Sequence, residues 1–193
     1  MKNIKKLSSS RRDCLKVMAA AVGGVAAGVG GAKLVGRMGP ASTGCWLVLT
    51  DAEARLVDLV TEQIIPADEF AGASGAGVVN FIDKQLDGPY HNFVGGYRTG
   101  LNRIEKTSRK MFGKTFDSLQ WKEQTQLLQT MEKGKVPKDI WGDQSASRFF
   151  RMICDHTMQG YYGSPKHGGN KNYVSYRMMG LEYPRVIGQN RYS

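Results

Sequence analysis

The chain has 193 residues, 41% hydrophobic and 23% charged, with a formal net charge of +10. That composition describes one globular domain with a core of its own and excludes a fibrous or disordered chain. Residues 1–37 hold eight Lys/Arg against the single acid Asp13, leaving 19 basic and 16 acidic residues for the remainder. The part that folds is therefore nearly neutral, which argues against a nucleic-acid partner, since that would need a basic face on the folded part.

The first element is a basic head joined to an apolar run. Ser10-Arg11-Arg12-Asp13-Cys14-Leu15-Lys16 precedes Val17–Val35, a run of mostly Ala, Gly and Val with Lys33 as its one charge. The run is about long enough to span a bilayer. Its glycines make it a poor helix former and hence a weak permanent anchor. Arg11 and Arg12 with a mildly apolar stretch behind them resemble a twin-arginine translocation signal, which exports proteins already folded. Cys14 replaces the large apolar residue usual in that pattern. We expect residues 1–44 to be signal and linker, excluded from the fold, and 45–193 to be the folded domain.

Thr50 and Glu53 form a capping box that opens a helix. Leu56, Val57, Val60 and Ile64 continue it at helical spacing, and Pro66 ends it. Residues 67–77 read as a small, flexible loop. Val78–Leu86 is predicted as a second helix with Val78, Phe81, Ile82 and Gln85 on one side. A third follows Gly95-Gly96, with Tyr97, Leu101, Ile104, Ser108 and Met111 inward and Arg103, Lys106, Arg109 and Lys110 outward. Trp121–Lys133 is the fourth, with Gly134 placed as a C-terminal cap. Ser145 caps the fifth, whose inward residues are Phe149, Phe150, Ile153, Cys154 and Thr157. From about residue 160 the chain becomes rich in Gly and Tyr. No strand-like alternation of useful length occurs. The predicted fold is mostly α: a small single helical domain with an irregular, aromatic, Gly-rich C-terminal arm.

Reactive residues are few. A haem-attaching C-x-x-C-H motif is missing, and Cys154-Asp155-His156 does not supply it. Gly75-Ala76-Gly77 lacks both the third glycine of a dinucleotide loop and a strand before it. His91, His156 and His167 match no metal spacing. His156 follows Asp155 directly, and adjacent residues on a helix do not face each other, so His156 reads as structural. The sequence therefore predicts no catalytic, cofactor-binding or metal residue on this chain. The cysteines are Cys14, Cys45 and Cys154. In an oxidising compartment Cys45 and Cys154 can pair with each other, bridge to another subunit or stay free.

The most informative stretch is YYGSPKHGGNKNYVSYRMMGLEYP, residues 161–184. Gly168-Gly169 admits backbone angles other residues resist, and Asn170 can tie a turn through its amide. Tyr173, Tyr176 and Met179 then fall at helical spacing, with Gly180 and Pro184 closing the segment. Such an arm lies either on its own domain or on a partner, where aromatic residues serve as anchors.

These residues resemble the signature Y-G-G-N-x-x-x-x-W-x-x-x-G-x-P of the gluconate 2-dehydrogenase subunit 3 family. Gly168, Gly169 and Asn170 match, His167 replaces the Tyr, Tyr176 stands where Trp is commoner, and Gly180 and Pro184 fall near its end. LTDAEARLVDLVTEQIIPADEF, with Ile64-Ile65-Pro66-Ala67-Asp68, resembles the family's first helix. The resemblance implies a non-catalytic small subunit of a periplasmic, inner-membrane-associated dehydrogenase complex. It implies three partners: a large subunit holding FAD, a multihaem cytochrome c subunit and the twin-arginine translocon. It also implies that the motif residues contact the partner and that FAD and haem c reside elsewhere in the complex. Two other classes stay open: a free-standing periplasmic enzyme using His156 or His167, and a binding or scaffold protein unrelated to flavin dehydrogenases.

Overall fold

In the computed structural model residues 46–142 and 145–181 are described. In chain order they form α1 (Asp51–Ile64), α2 (Val78–Leu86), η1 (His91–Phe93), α3 (Val94–Phe112), η2 (Phe116–Ser118), α4 (Trp121–Glu132), α5 (Lys138–Trp141), α6 (Ala146–Tyr162), η3 (Pro165–His167), η4 (Lys171–Tyr173) and α7 (Val174–Met178). No strand occurs among the described residues, and the domain is helical as expected.

The helix starts follow local rules. Thr50 Oγ1 accepts the Glu53 N–H at 3.2 Å and Glu53 Oε2 accepts the Thr50 N–H at 2.8 Å, the reciprocal capping box. Gln120 and Glu123 repeat it at α4, and Ser145 Oγ accepts the Arg148 N–H at α6. Gly113 and Gly134, both at positive φ, follow the last turns of α3 and α4.

α6 is the central helix: it packs against α1, α2, α3 and α4. Val57 and Val60 of α1, Ile82 of α2, Ile104 of α3, Leu127 of α4 and Ile153 of α6 are fully buried between them. α3 and α6 come so close that a Cβ on Gly100 would lie 2.3 Å from the Phe149 ring. Burying the apolar stripes supplies the driving force at about 25 cal/mol per Å².

Several expectations change. α3 starts at Val94, so Gly95 and Gly96 lie in its first turn rather than before it. α6 continues through Gly160 to Tyr162, so the arm starts after residue 162. Gly160 belongs in that helix because α2 crosses there, and a Cβ would meet the Phe81 ring at 2.9 Å. α5 has no signal in the hydrophobic period, being a single turn.

Arg103 leaves the outer face: its Nη1 donates to the Trp141 carbonyl at 3.0 Å and its guanidinium lies 5.7 Å from the indole centroid. Trp141, 2% exposed, also donates through Nε1 to Thr107 Oγ1 at 3.0 Å. Phe150 and Cys154 are only half-buried. The loop 67–77 is tied down, not open. Glu62 accepts the Ala67 and Ser74 N–H groups at 2.9 and 2.8 Å, and Ala73 and Ala76 are fully buried.

Candidate functional site

The C-terminal motif folds back onto α2 and α6. Asn80 of α2 donates through Nδ2 to the Gly168 carbonyl at 2.7 Å, and the Lys171 N–H donates to the Ala76 carbonyl at 2.9 Å. Asn170 is fully buried and ties the loop from both sides. Its Nδ2 donates to the Gly163 carbonyl at 2.9 Å, and its Oδ1 accepts the Ser175 N–H at 3.0 Å. Gly169 has no room for a side chain, because a Cβ would lie 2.1 Å from the Gly160 carbonyl oxygen. Tyr161, 2% exposed, donates its hydroxyl to the Ala71 carbonyl at 2.9 Å. Asn170, Asn172 and Tyr173 all take positive φ, near 45°, 58° and 57°. That run costs free energy for residues with a Cβ and turns the chain into α7, whose Val174 is buried.

The motif residues therefore divide. Gly169 and Asn170 are interior to this chain, and Gly168 is half-buried against α2. Tyr173 and Tyr176 are half-buried with ring centroids 6.0 Å apart. Gly180 is exposed, at φ 66°. Beyond the clamp the surface turns apolar: Met178, Met179 and Leu181 are exposed, as is Tyr162 at the end of α6. The arm thus has a core of its own through Asn170–Ser175, where the sequence offered the alternative of a partner's surface. Arg11, Arg12, Cys45 and Pro184 lie outside the described residues, and with them the Cys45–Cys154 pairing. Among the described residues Cys154 has no disulfide partner, and as a thiol its pKa is pushed up to about 11, first by burial and then by Asp155 and Glu132, which makes it a poor nucleophile at neutral pH.

Two polar centres had no motif to announce them. Asp83, 2% exposed on the buried side of α2, accepts three backbone N–H groups: Leu47 at 2.7 Å, Val48 at 3.0 Å and Leu49 at 2.9 Å. It thereby fastens the segment before α1 to α2. The only signal was an acid among Phe81, Ile82 and Leu86. The second centre is His156, 5% exposed, whose Nδ1 lies 2.9 Å from the hydroxyl of fully buried Tyr97. The Tyr90 ring stacks on His156 at 4.2 Å and 16°, and Phe93 meets it edge-on at 5.3 Å. Asp155 is exposed and, as the adjacent residue of α6, points about 100° round the helix from His156, so the two do not form a catalytic dyad. His91 and His167 are exposed.

Burial lowers the His156 pKa below its usual value, with a smaller opposing effect of the Asp155 charge. The imidazole is thus harder to protonate folded than unfolded. Between neutral pH and the depressed folded pKa the unfolded chain binds more protons, so stability falls as pH drops below about 6.5. The loss from this one group is at most about 1.4 kcal/mol per pH unit. Chemical denaturation of the wild type and of His156→Gln between pH 7 and pH 5 checks it. The variant should show a shallower decline, and equal slopes would remove His156 as the source.

A groove of about 410 Å³ between α1, α3 and η2 is lined by Arg55, Arg98, Arg109, Glu53, Glu105 and Asp117. Its charges are largely matched: Arg55 pairs with Asp117 at 3.5 Å and Arg98 with Glu53 at 3.9 Å. Among the described residues no group of three His, Cys, Asp or Glu is placed to hold a metal ion, and no helix is long and apolar enough to cross a membrane.

Among known proteins, the family model described as Gluconate 2-dehydrogenase subunit 3 matches residues 51–182. No curated protein and no solved structure matches.

Proposed function

Because the chain belongs to the gluconate 2-dehydrogenase subunit 3 family, we propose that it is the non-catalytic small subunit of an FAD-dependent gluconate or sugar dehydrogenase complex. In this reading it binds the flavoprotein and carries it through the twin-arginine translocon to the periplasm. There the complex sits at the inner membrane with a multihaem cytochrome c subunit. FAD and haem c belong to those partners. A flavoprotein must fold around its cofactor before export, so an exporter of folded proteins and a lent signal suit it.

The observation that carries the reading is the family match over 51–182 in a chain that also bears Arg11-Arg12 ahead of an Ala/Gly/Val run. We assign the flavoprotein contact to the exposed Tyr162, Met178, Met179 and Leu181. Gly169 and Asn170 hold that surface in place from inside. Exposed apolar side chains carried on a rigid support are what interfaces use as anchors.

The test replaces Arg11 and Arg12 by Lys. This chain and its flavoprotein should then both stay in the cytoplasm. A flavoprotein that still reaches the periplasm would refute the shared signal. Met179→Glu with Leu181→Glu should abolish co-purification of the flavoprotein while the melting temperature stays within roughly 2 °C. Undiminished co-purification would move the interface elsewhere on the domain.

A further inference from the structure

The buried Tyr97–His156 pair plays no part in the proposed subunit binding or export. We propose that it is a proton-coupled one-electron redox site, with Tyr90 as its outlet to the surface. The direction of the hydrogen bond follows from accounting for protons. Among the described residues Tyr97 Oη meets one acceptor, His156 Nδ1, at 2.9 Å. If Nδ1 carried the proton and donated it, the buried phenol proton would be left without an acceptor, which is costly. Tyr97 therefore donates, His156 is neutral with its proton on Nε2, and Nδ1 offers a lone pair to the phenol.

A phenol that loses an electron must lose its proton too, because the radical cation is strongly acidic and any hydrogen-bonded imidazole is a far stronger base. Here the base is already in place. One electron leaves the Tyr97 ring for the oxidant, the Oη–H bond breaks, and the proton moves to His156 Nδ1. The products are a neutral phenoxyl radical, an imidazolium ion and an oxidant reduced by one electron. The imidazolium lies under the face of the Tyr90 ring, near-parallel at 4.2 Å and 16°, and that π face stabilises the cation. Tyr97 meets it edge-on through the hydroxyl oxygen.

Re-reduction returns the proton from Nδ1 to the phenoxyl oxygen. Tyr90 can supply that electron: it stacks on the face of His156, is half-buried, and its hydroxyl meets Gln159 Oε1. Its own proton then passes to water, and the oxidising equivalent ends at the surface. The oxidant class is a high-potential one-electron oxidant, such as a ferryl haem or a diffusing radical. A ground-state flavin or ferric haem c is too weak to oxidise a tyrosine. The site would thus act as a sink that carries stray oxidising equivalents out of the core.

The test uses the full chain and photogenerated tris(bipyridine)ruthenium(III), followed by transient absorption and electron paramagnetic resonance. The expected result is a neutral tyrosyl radical that forms more slowly in D2O and whose spectrum changes when histidine is labelled with ¹⁵N. Tyr97→Phe should lose that ¹⁵N-sensitive signal. His156→Gln keeps an acceptor oxygen but removes the base, and should slow radical formation roughly a hundredfold, the scale of losing a positioned proton acceptor. Tyr90→Phe should prolong the radical's lifetime. A signal insensitive to D2O and to ¹⁵N in the wild type, or one unchanged in Tyr97→Phe, would overturn the proposal. The wild-type isotope measurements decide it even if a variant fails to fold.

Discussion

Gly169→Ala should cost at least about 3 kcal/mol of stability, since an overpacked methyl here meets backbone rather than a movable side chain. The added Cβ would stand 2.1 Å from the Gly160 carbonyl oxygen and 2.8 Å from its carbon. Gly160 lies within α6 and is itself pressed against Phe81, so it cannot retreat. The loop must lift instead. That breaks the Asn80–Gly168 bond at 2.7 Å and the two side-chain bonds of Asn170. The melting temperature should fall by roughly 10 °C for a domain of this size. Gly180→Ala is the matched control. It has positive φ, 66°, but nothing lies within 4 Å of its Cβ position, so its cost is the backbone strain of about 1–2 kcal/mol. Thermal melts of the two variants check the order. If Gly169→Ala melts no lower than Gly180→Ala, the loop does not close on α6. Because the clamp carries Met178, Met179 and Leu181, Gly169→Ala should also weaken flavoprotein binding under the proposed function.

Asp83→Ala is the second large effect, with an expected loss of about 3 kcal/mol, the scale of hydrogen bonds to a charged group that leave buried donors unmet. Three N–H groups, of Leu47, Val48 and Leu49, would lose their acceptor together. Leu49, 6% exposed, would also lose the register that holds it in the core. Asp83→Asn separates charge from geometry. Its single carbonyl oxygen can still serve Val48 and Leu49, while its amide N–H₂ would face the Leu47 N–H. An intermediate loss of about 1–2 kcal/mol should result. Urea titration gives the stabilities, and limited proteolysis around residues 46–49 reports release of the segment. An alanine variant as stable as wild type would mean the three bonds contribute nothing net.

Much of the helical framework was legible because its signals are local. A cap and the residue three positions on are in the same turn, so Thr50 with Glu53 announces α1. The same holds for Ser145 at α6, and for the apolar period of Leu101 and Ile104 in α3. The start of α3 was missed because glycine reads as a break. Gly95 and Gly96 are carried into the helix by the preceding turn His91–Phe93. Arg103 was misplaced because charge alone suggests solvent. A cation beside an indole face and a free helix-end carbonyl finds both in Trp141, and α5 has too few residues to show a period.

The sequence by itself determined the helical class, the family likeness and the list of residues that mattered in the arm. Short-range geometry and composition carry all three. Only the tertiary structure decided what those residues do. Gly169 is small because the Gly160 backbone lies against it, and Asn170 is a buried tie between Gly163 and Ser175. Asp83 is fastened to a segment 34 to 36 residues away, His156 to Tyr97 across 59 residues, and Tyr161 to Ala71 across 90. Such bonds depend on where packing brings two distant backbones, and side-chain period records only which face is buried, not what it meets.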